Sequence, residues 1–236
     1  MHTEGADRGL RSLWGVESPG ARGPKRRWSV LDVQAAAVDL ADEHGISGVT
    51  LASVAKRLDM TTTAMYRYID SKDVLERFMT DGALGDPPPL RRRGWEGKCR
   101  EWCGNMYARY EAHPWLADLR PAGMPLTPNA LAWIDALVAA VDGVPGVDGM
   151  RLALVLEALV RSYAAIPSGT NDAAPVGNWL AALLEERFPW LEGRDFSDPA
   201  REFHHAVDLV LLGLTAAQDR CADGAVDRDS ESSSVE

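Results

Sequence analysis

Residues 50–75, TLASVAKRLDMTTTAMYRYIDSKDVL, decide how the rest of the chain is read. Leu51, Val54, Ala55 and Leu58 recur at i, i+3, i+4 and i+7, the apolar stripe of an amphipathic helix. Thr50 stands just ahead of the stripe, where its hydroxyl accepts from an orphan backbone N–H as an N-cap. Asp59, Met60 and Thr61 form a turn, and Thr61 or Thr62 caps a second helix over Thr62 to Ile69. That helix is too short to be stable alone, so Met65 and Ile69 must be held by neighbours. Its other side shows Thr62, Thr63, Tyr66, Arg67 and Tyr68: hydroxyls, a guanidinium and two phenols. Such groups reach phosphates and base edges in a major groove. The pattern predicts a helix-turn-helix.

Working outward, Ser29 is a good N-cap and Gly45 a good terminator, so the first helix lies between them. Val33, Ala36, Ala37, Leu40 and Ala41 supply its buried stripe, with Ile46 and Val49 closing the core below. A fourth helix starts near Ser71, capped by Asp70 or Ser71, with Val74, Leu75, Phe78 and Met79 turned inward. Lys72 in its first turn opposes the dipole preference for acids there, which favours a functional reason for it. Gly85-Asp86-Pro87-Pro88-Pro89 cannot continue a helix. The divisions expected are a flexible basic arm (1–28), a helix-turn-helix domain with connecting helix (29–84), and a Pro/Arg linker (85–94). Arg91, Arg92 and Arg93 read as a solvated part of that linker. A helical body (95–222) and a disordered tail (223–236) complete the chain.

Gly45, Thr50, Ala55, Leu58, Met60, Thr61, Met65, Tyr66, Tyr68, Ile69, Ser71, Lys72 and Leu75 together resemble the DNA-binding domain of the tetracycline-repressor (TetR) family. The resemblance places Thr62, Thr63 and Tyr66 where that family reads bases. It places Thr50, Ala64, Tyr68 and Lys72 where the family grips phosphate, Ala64 through its backbone N–H alone. Asp59 stands where the family commonly has a turn glycine, and Tyr68 where it commonly has a His. The resemblance also implies that the fourth helix joins head to body and transmits ligand binding.

Behind residue 94 the chain reads as helices throughout, making the fold class all-α. Trp95 to Ala112 is one helix, stopped by His113-Pro114, and Trp115 to Leu119 is a short helical turn. Thr127-Pro128 opens another. Met150 to Ile166 is apolar on several faces, which suits a domain centre or an interface. Val176 to Phe188 and a last helix from Asp198-Pro199 follow. The body is similar to the ligand-binding and dimerisation domain of tetracycline repressor, in WEGKCREWCGNMYARYEAHPWL, LTPNALAWIDALVAAV and FPWLEGRDFSDPAREFHHAVDLVLLGL. This implies a homodimer through an antiparallel four-helix bundle, with Leu156, Val160, Val207, Val210, Leu211 and Leu214 at the interface. An isologous dimer suits a palindromic double-stranded operator. Trp102, Met106, Tyr110, Met124, Trp133, Tyr163 and Trp179 read either as core or as the lining of an apolar pocket with polar tips. The resemblance favours a pocket for a small apolar or amphipathic effector.

Charge bears on this reading. The net charge is −10, but residues 1–93 hold 14 Lys and Arg against 13 Asp and Glu. A near-neutral head on an acidic body is compatible with DNA binding, because screening confines charge effects to about 8 Å at physiological salt. The basic residues of the leader, Arg8, Arg11, Arg22, Lys25, Arg26 and Arg27, either follow phosphates or form a solvated leader. Trp14 within it has no explanation from the sequence. Cys99 and Cys103, at i and i+4, read as buried thiols, and adjacent His204 and His205 diverge too far to share a metal. No cofactor is implied, and no phosphate-binding loop, dinucleotide fingerprint or nucleophile elbow is present. No apolar run approaches a membrane span, the N-terminus lacks a secretion-signal core, and three cysteines suit a reducing compartment, so a cytoplasmic location is expected. The expectation is a ligand-responsive repressor and no enzyme. An all-helical enzyme or a protein-interaction module with a structural three-helix head is the alternative.

Overall fold

The computed structural model describes residues 9–16, 27–120, 123–166, 178–191 and 198–232, and every regular element among them is helical. Helix α1 (Val30–His44) starts with a full capping box, in which Ser29 and Asp32 satisfy each other's backbone N–H groups. Helix α2 (Leu51–Arg57) repeats the device with Thr50 and Ser53, a Ser doing what a Glu or Gln usually does. Asp59 leaves α2 in the left-handed region, φ 51°. Its N–H donates to Lys56 O at 3.2 Å and that of Met60 to Ala55 O at 3.0 Å, the paired bonds of a Schellman stop. Asp tolerates the position glycine would otherwise take.

Helix α3 (Thr62–Met65) is shorter than the helix expected over Thr62 to Ile69. Its hydrogen bonds tighten after Met65, with Arg67 N donating to Ala64 O and Tyr68 N to Met65 O, as in a 3₁₀ turn. Helix α4 (Lys72–Leu84) is capped by Ser71 and ends at Gly85, φ 57°. Val33, Ala37, Val54, Met65, Ile69, Leu75 and Phe78 are all buried and bind α1 to α4 into one unit. Complete burial of a side chain such as Phe78 contributes about 1.5–3 kcal/mol.

In the body, α5 (Trp95–Ala112), α6 (Pro128–Ala140), α7 (Gly149–Ala164) and α9 (Pro199–Ser232) surround a core with α7 at its centre, and α8 (Asn178–Arg187) stands apart. Tyr107 stacks on Phe203 with ring centroids 4.6 Å apart, joining α5 to α9. Arg100 Nε donates to Asp208 Oδ1 at 2.7 Å across the same pair. Helix α9 continues past Asp223, where the sequence predicts order to end; no proline interrupts that stretch.

Head and body share one continuous buried cluster, from Val33 in α1 to Leu211 in α9. Among the described residues, three polar ties between them stand out. Asp81, on α4 and only 3% exposed, accepts from Asn129 N at 2.8 Å and from Asn129 Nδ2 at 3.2 Å. It thereby caps α6 from another helix, while Thr127, the cap expected from sequence, makes no side-chain capping bond. Gln34 of α1 completes the node, with Nε2 donating to Phe78 O at 2.8 Å and to Asp81 Oδ2 at 3.4 Å. Glycine at position 82 permits this approach, since a Cβ there would lie 2.7 Å from Gln34 Cγ. Second, Asp42 at the end of α1 accepts from Trp115 Nε1 at 2.7 Å and pairs with His113 Nδ1 at 2.8 Å. Third, Trp133 Nε1 of α6 donates to Gly85 O at 2.9 Å, on the last turn of α4.

Asp81→Ala removes a cap and leaves Asn129 N without its partner, while the Asn129 and Gln34 amides each lose one acceptor and keep a backbone one, Asp81 O and Phe78 O. The expected loss is about 2–4 kcal/mol of unfolding free energy. Urea denaturation at fixed protein concentration measures it, and a change below about 0.5 kcal/mol, the usual size for surface substitutions, contradicts the role assigned to Asp81.

Candidate functional site

Two sites are built on α4, one on each side. The first is the outer face of α2–α3. Thr62, Thr63, Tyr66 and Arg67 are exposed, Tyr66 by 51%. Met65 and Ile69, fully buried, hold them outward from below. Thr61 caps α3 by accepting from Ala64 N at 3.2 Å, so the half-buried Ala64 already has an internal partner for its N–H. Thr50 is exposed beside the face as the cap of α2. Lys72 projects from the first turn of α4, 63% exposed, with Nζ 3.5 Å from Glu76 Oε1, a pair loose enough to exchange for phosphate.

Tyr68 departs from expectation. It is half-buried, and its hydroxyl donates to Trp28 O at 3.1 Å. A phenol has one proton, so while this bond stands Tyr68 cannot also donate to a phosphate. Its job in this arrangement is to tie the segment before α1 to the end of the recognition element. Arg27, one of the basic leader residues, lies over the Trp28 ring at 5.2 Å with Nη1 3.6 Å from Asp59 Oδ2, and exposed Lys56 adds positive charge that the sequence reading did not single out. Arg57, in contrast, is taken by Glu43, with Nη1 to Oε1 at 3.0 Å. That pair holds the Glu43 carboxyl below its usual range and the Arg57 guanidinium above its own.

The second site is a cavity of about 490 Å³ between α4, α5, α6 and α7. Trp102, Met106, Tyr110, Met124 and Trp133 line it, together with Leu116, Ala130, Ala153 and Leu154. Trp102 and Trp133 meet edge to face, centroids 5.8 Å apart, and Trp102 Nε1 donates to Trp133 O at 2.8 Å. The other two candidates lie elsewhere. Tyr163 packs toward Phe203, 6.2 Å between centroids, and Trp179 on α8 is 71% exposed. For both, helical periodicity could not say which side of the helix met the cavity.

A polar cluster at the cavity wall was not foreseen. Glu157 Oε1 accepts from the Tyr110 hydroxyl at 2.8 Å and from Arg161 Nε and Nη2 at 3.2 and 2.7 Å. Arg161 Nη1 also donates to Leu116 O and Leu119 O, pinning the loop after α5. Burial, then the nearby Glu157 charge, raises the Tyr110 pKa, so its hydroxyl stays a donor. The signal was in the sequence: Glu157 and Arg161, an i, i+4 pair within the mostly apolar run from Leu152 to Arg161. From α4 the cavity receives Asp73, Glu76, Arg77, Thr80 and Leu84. Cys99 and Cys103 lie outside it, and burial pushes Cys99 up to about 11 and Cys103 higher still, as expected of inert core thiols. Among the described residues no group of three or more His, Cys, Asp or Glu could hold a metal ion. No described helix is long and apolar enough to cross a membrane.

The sequence pattern of the tetR family of bacterial regulatory proteins matches residues 34–76. The HTH-type transcriptional repressor DrrR1 of Streptomyces coeruleorubidus is 29% identical over 228 residues, covering 88% of this chain and 84% of that protein. Residues 34–76 thus carry a TetR-type helix-turn-helix head, and over most of its length the chain is similar to a TetR-type transcriptional repressor. Its fold is also that of ActR from Streptomyces coelicolor. The complex of ActR with (S)-DNPA superposes with a TM-score of 0.69 at 19% identity, over 81% of this chain and 99% of that one. The complex of ActR with actinorhodin gives 0.62 at 16%, over 82% and 98%.

On this face, Tyr66→Ala is expected to weaken binding to a selected operator by about 1–3 kcal/mol and to relax sequence preference. Lys72→Ala should lower affinity alike for all sequences and reduce the salt slope by about one unit. Fluorescence anisotropy at several salt concentrations tests both, and parent-like binding by both variants refutes the assignment.

Proposed function

We propose that the protein is a ligand-responsive repressor that binds a palindromic operator as a homodimer and is released by a small amphipathic molecule in the α4–α7 cavity. The observation that carries this reading is the double use of α4. Val74, Leu75 and Phe78 anchor it in the head core, while Thr80 and Leu84 of the same helix line the cavity. A ligand that changes the packing around Trp133 also acts on Gly85 O, where α4 ends. The head then moves with the helix. Couplings of this kind are typically worth about 1–3 kcal/mol. Support for a small-molecule effector comes from the aromatic lining and from ActR, whose structures include complexes with (S)-DNPA and actinorhodin. Thr62, Thr63, Tyr66 and Arg67 are assigned to the bases, Thr50 and Lys72 to phosphates, and the cytoplasm is the site of action.

The dimer surface needs a different set of residues from the one the sequence suggested. Leu156, Val160, Val207 and Leu211 are at most 1% exposed within a single chain and pack α7 against α9 and α5, and Val210 and Leu214 are half-buried beside them. They are occupied already. The free apolar surface lies away from that core: Val155 on α7 and Ile166 just beyond its end, Leu209 and Leu212 on α9, the last 63% exposed. Leu209, Leu212 and Ala216 repeat at helical spacing, with Gly213 keeping the stripe flat. We assign the four-helix dimer bundle to these faces. It would set the two recognition elements roughly 34–36 Å apart, one turn of DNA.

Leu212→Asp is expected to yield a folded monomer by sedimentation and to abolish tight operator binding; a dimer that persists contradicts the assignment. Ala153→Phe, which fills the cavity, should leave operator affinity near that of the parent while abolishing release by compounds found in an anisotropy-based screen. Release that survives in this variant moves the effector site elsewhere.

A further inference from the structure

We propose that residues 9–16 form a strap that fixes the mouth of the cavity to α4, with Trp14 as the residue that positions the mouth. This inference rests on the reading of the cavity as the effector site. The chain is helical over residues 9–13 and lies against α4 rather than extending toward DNA. Gly9 is buried there: a Cβ at this position would fall 2.9 Å from Val74 Cγ1 and 3.3 Å from Phe78 Cζ. A larger residue there requires Val74, Phe78 or the strap itself to shift. One helical turn later Leu13 packs against the edge of the core.

Trp14 then reaches the other wall. Its Nε1 donates to Leu126 O at 3.2 Å, a bond between residues 112 positions apart. Leu126 belongs to a short loop, Gly123, Met124, Pro125, Leu126 and Thr127, all of which line the cavity. Met124 and Leu126 are themselves half exposed, so this loop is the border between cavity and solvent. Trp14 is 48% exposed, and its indole is therefore not placed for burial alone. What it supplies is a directional bond from a segment seated on α4 to the rim of the cavity. A half-exposed hydrogen bond opens far more readily than the core does. An effector passing under residues 123–127 must displace that loop, break the Trp14 bond and loosen the strap from Val74 and Phe78. The strap thus gates entry and reports it to α4 at the end nearest the DNA.

The test uses the full chain, its Trp14→Phe and Trp14→Ala variants, and 8-anilinonaphthalene-1-sulfonate as the cavity probe. Hydrogen exchange read by mass spectrometry on the ligand-free proteins should show residues 123–127 exchanging about fivefold or more faster in Trp14→Ala, as expected for a loop that has lost its tether. Trp14→Phe, which keeps a ring but lacks the N–H, should show most of that effect. Stopped-flow association of the probe should accelerate in the same order, and operator affinity without probe should stay within about twofold, because the substitution is remote from the reading face. Unchanged exchange at 123–127 in Trp14→Ala overturns the strap. Faster exchange with unchanged probe association overturns its gating role. If the parent takes up no probe, or Ala153→Phe takes it up equally well, the cavity reading fails and takes the gating role with it. The exchange data still decide whether the strap holds the loop.

Discussion

The carboxylate of Asp81 is the constraint on which the rest of the structure depends. It is buried where three helices meet, accepts from the start of α6 and from Gln34 of α1, and stands on α4 itself. A buried carboxylate needs such donors, because an unpaired charge in a low-dielectric interior is strongly destabilising. The geometry that satisfies Asp81 therefore also fixes the angle at which the head meets the body. Asp42 with Trp115, and Trp133 with Gly85, brace the same junction from either end. Head and body are consequently packed as one unit, although their sequence divides cleanly at the prolines after Gly85.

That arrangement gives α4 two environments at once. One side is dry and shared with the reading head; the other borders a cavity whose occupancy the helix must feel. Interiors are close-packed and do not deform continuously, so in the proposed function a guest among Trp102, Met106 and Trp133 would be answered by a shift between discrete packings. The polar cluster of Tyr110, Glu157 and Arg161 holds the far wall still. In the proposed function, movement would then go to the opposite side, to α4 and the half-exposed loop at 123–127. A ligand acts only through the difference in its affinity for the two packings, and in the proposed function the node at Asp81 would carry that difference from the cavity side of α4 to the head.

Much of the head was legible from its residues. The caps at Ser29, Thr50 and Ser71, the left-handed Asp59 and the buried Met65 and Ile69 follow from local rules, and the structure contains each. What the sequence did not reveal depends on partners distant in the chain. Tyr68 looked like a phosphate donor until Trp28, forty residues earlier, took its proton. The cap of α6 came from Asp81 rather than from the adjacent Thr127. The apolar residues of α7 and α9 were correctly read as too many for one face. Periodicity could not say which face the monomer uses, so Leu156 and Leu211 were given to the dimer while the core already held them. Trp14 had no meaning until Leu126 O stood beside it.

Spin labels on Thr63→Cys in each subunit of the proposed homodimer, with the third cysteine, Cys221, changed to Ser beside the buried Cys99 and Cys103, test the central claim most directly. Double electron–electron resonance then reports the spacing of the two reading heads without DNA or ligand. If the Asp81 node fixes the head to the body, the parent gives one narrow distance distribution, and Asp81→Ala, at a temperature where it remains folded, gives a broad or shifted one. The same narrow distribution in both would show that the head is oriented by something other than this node.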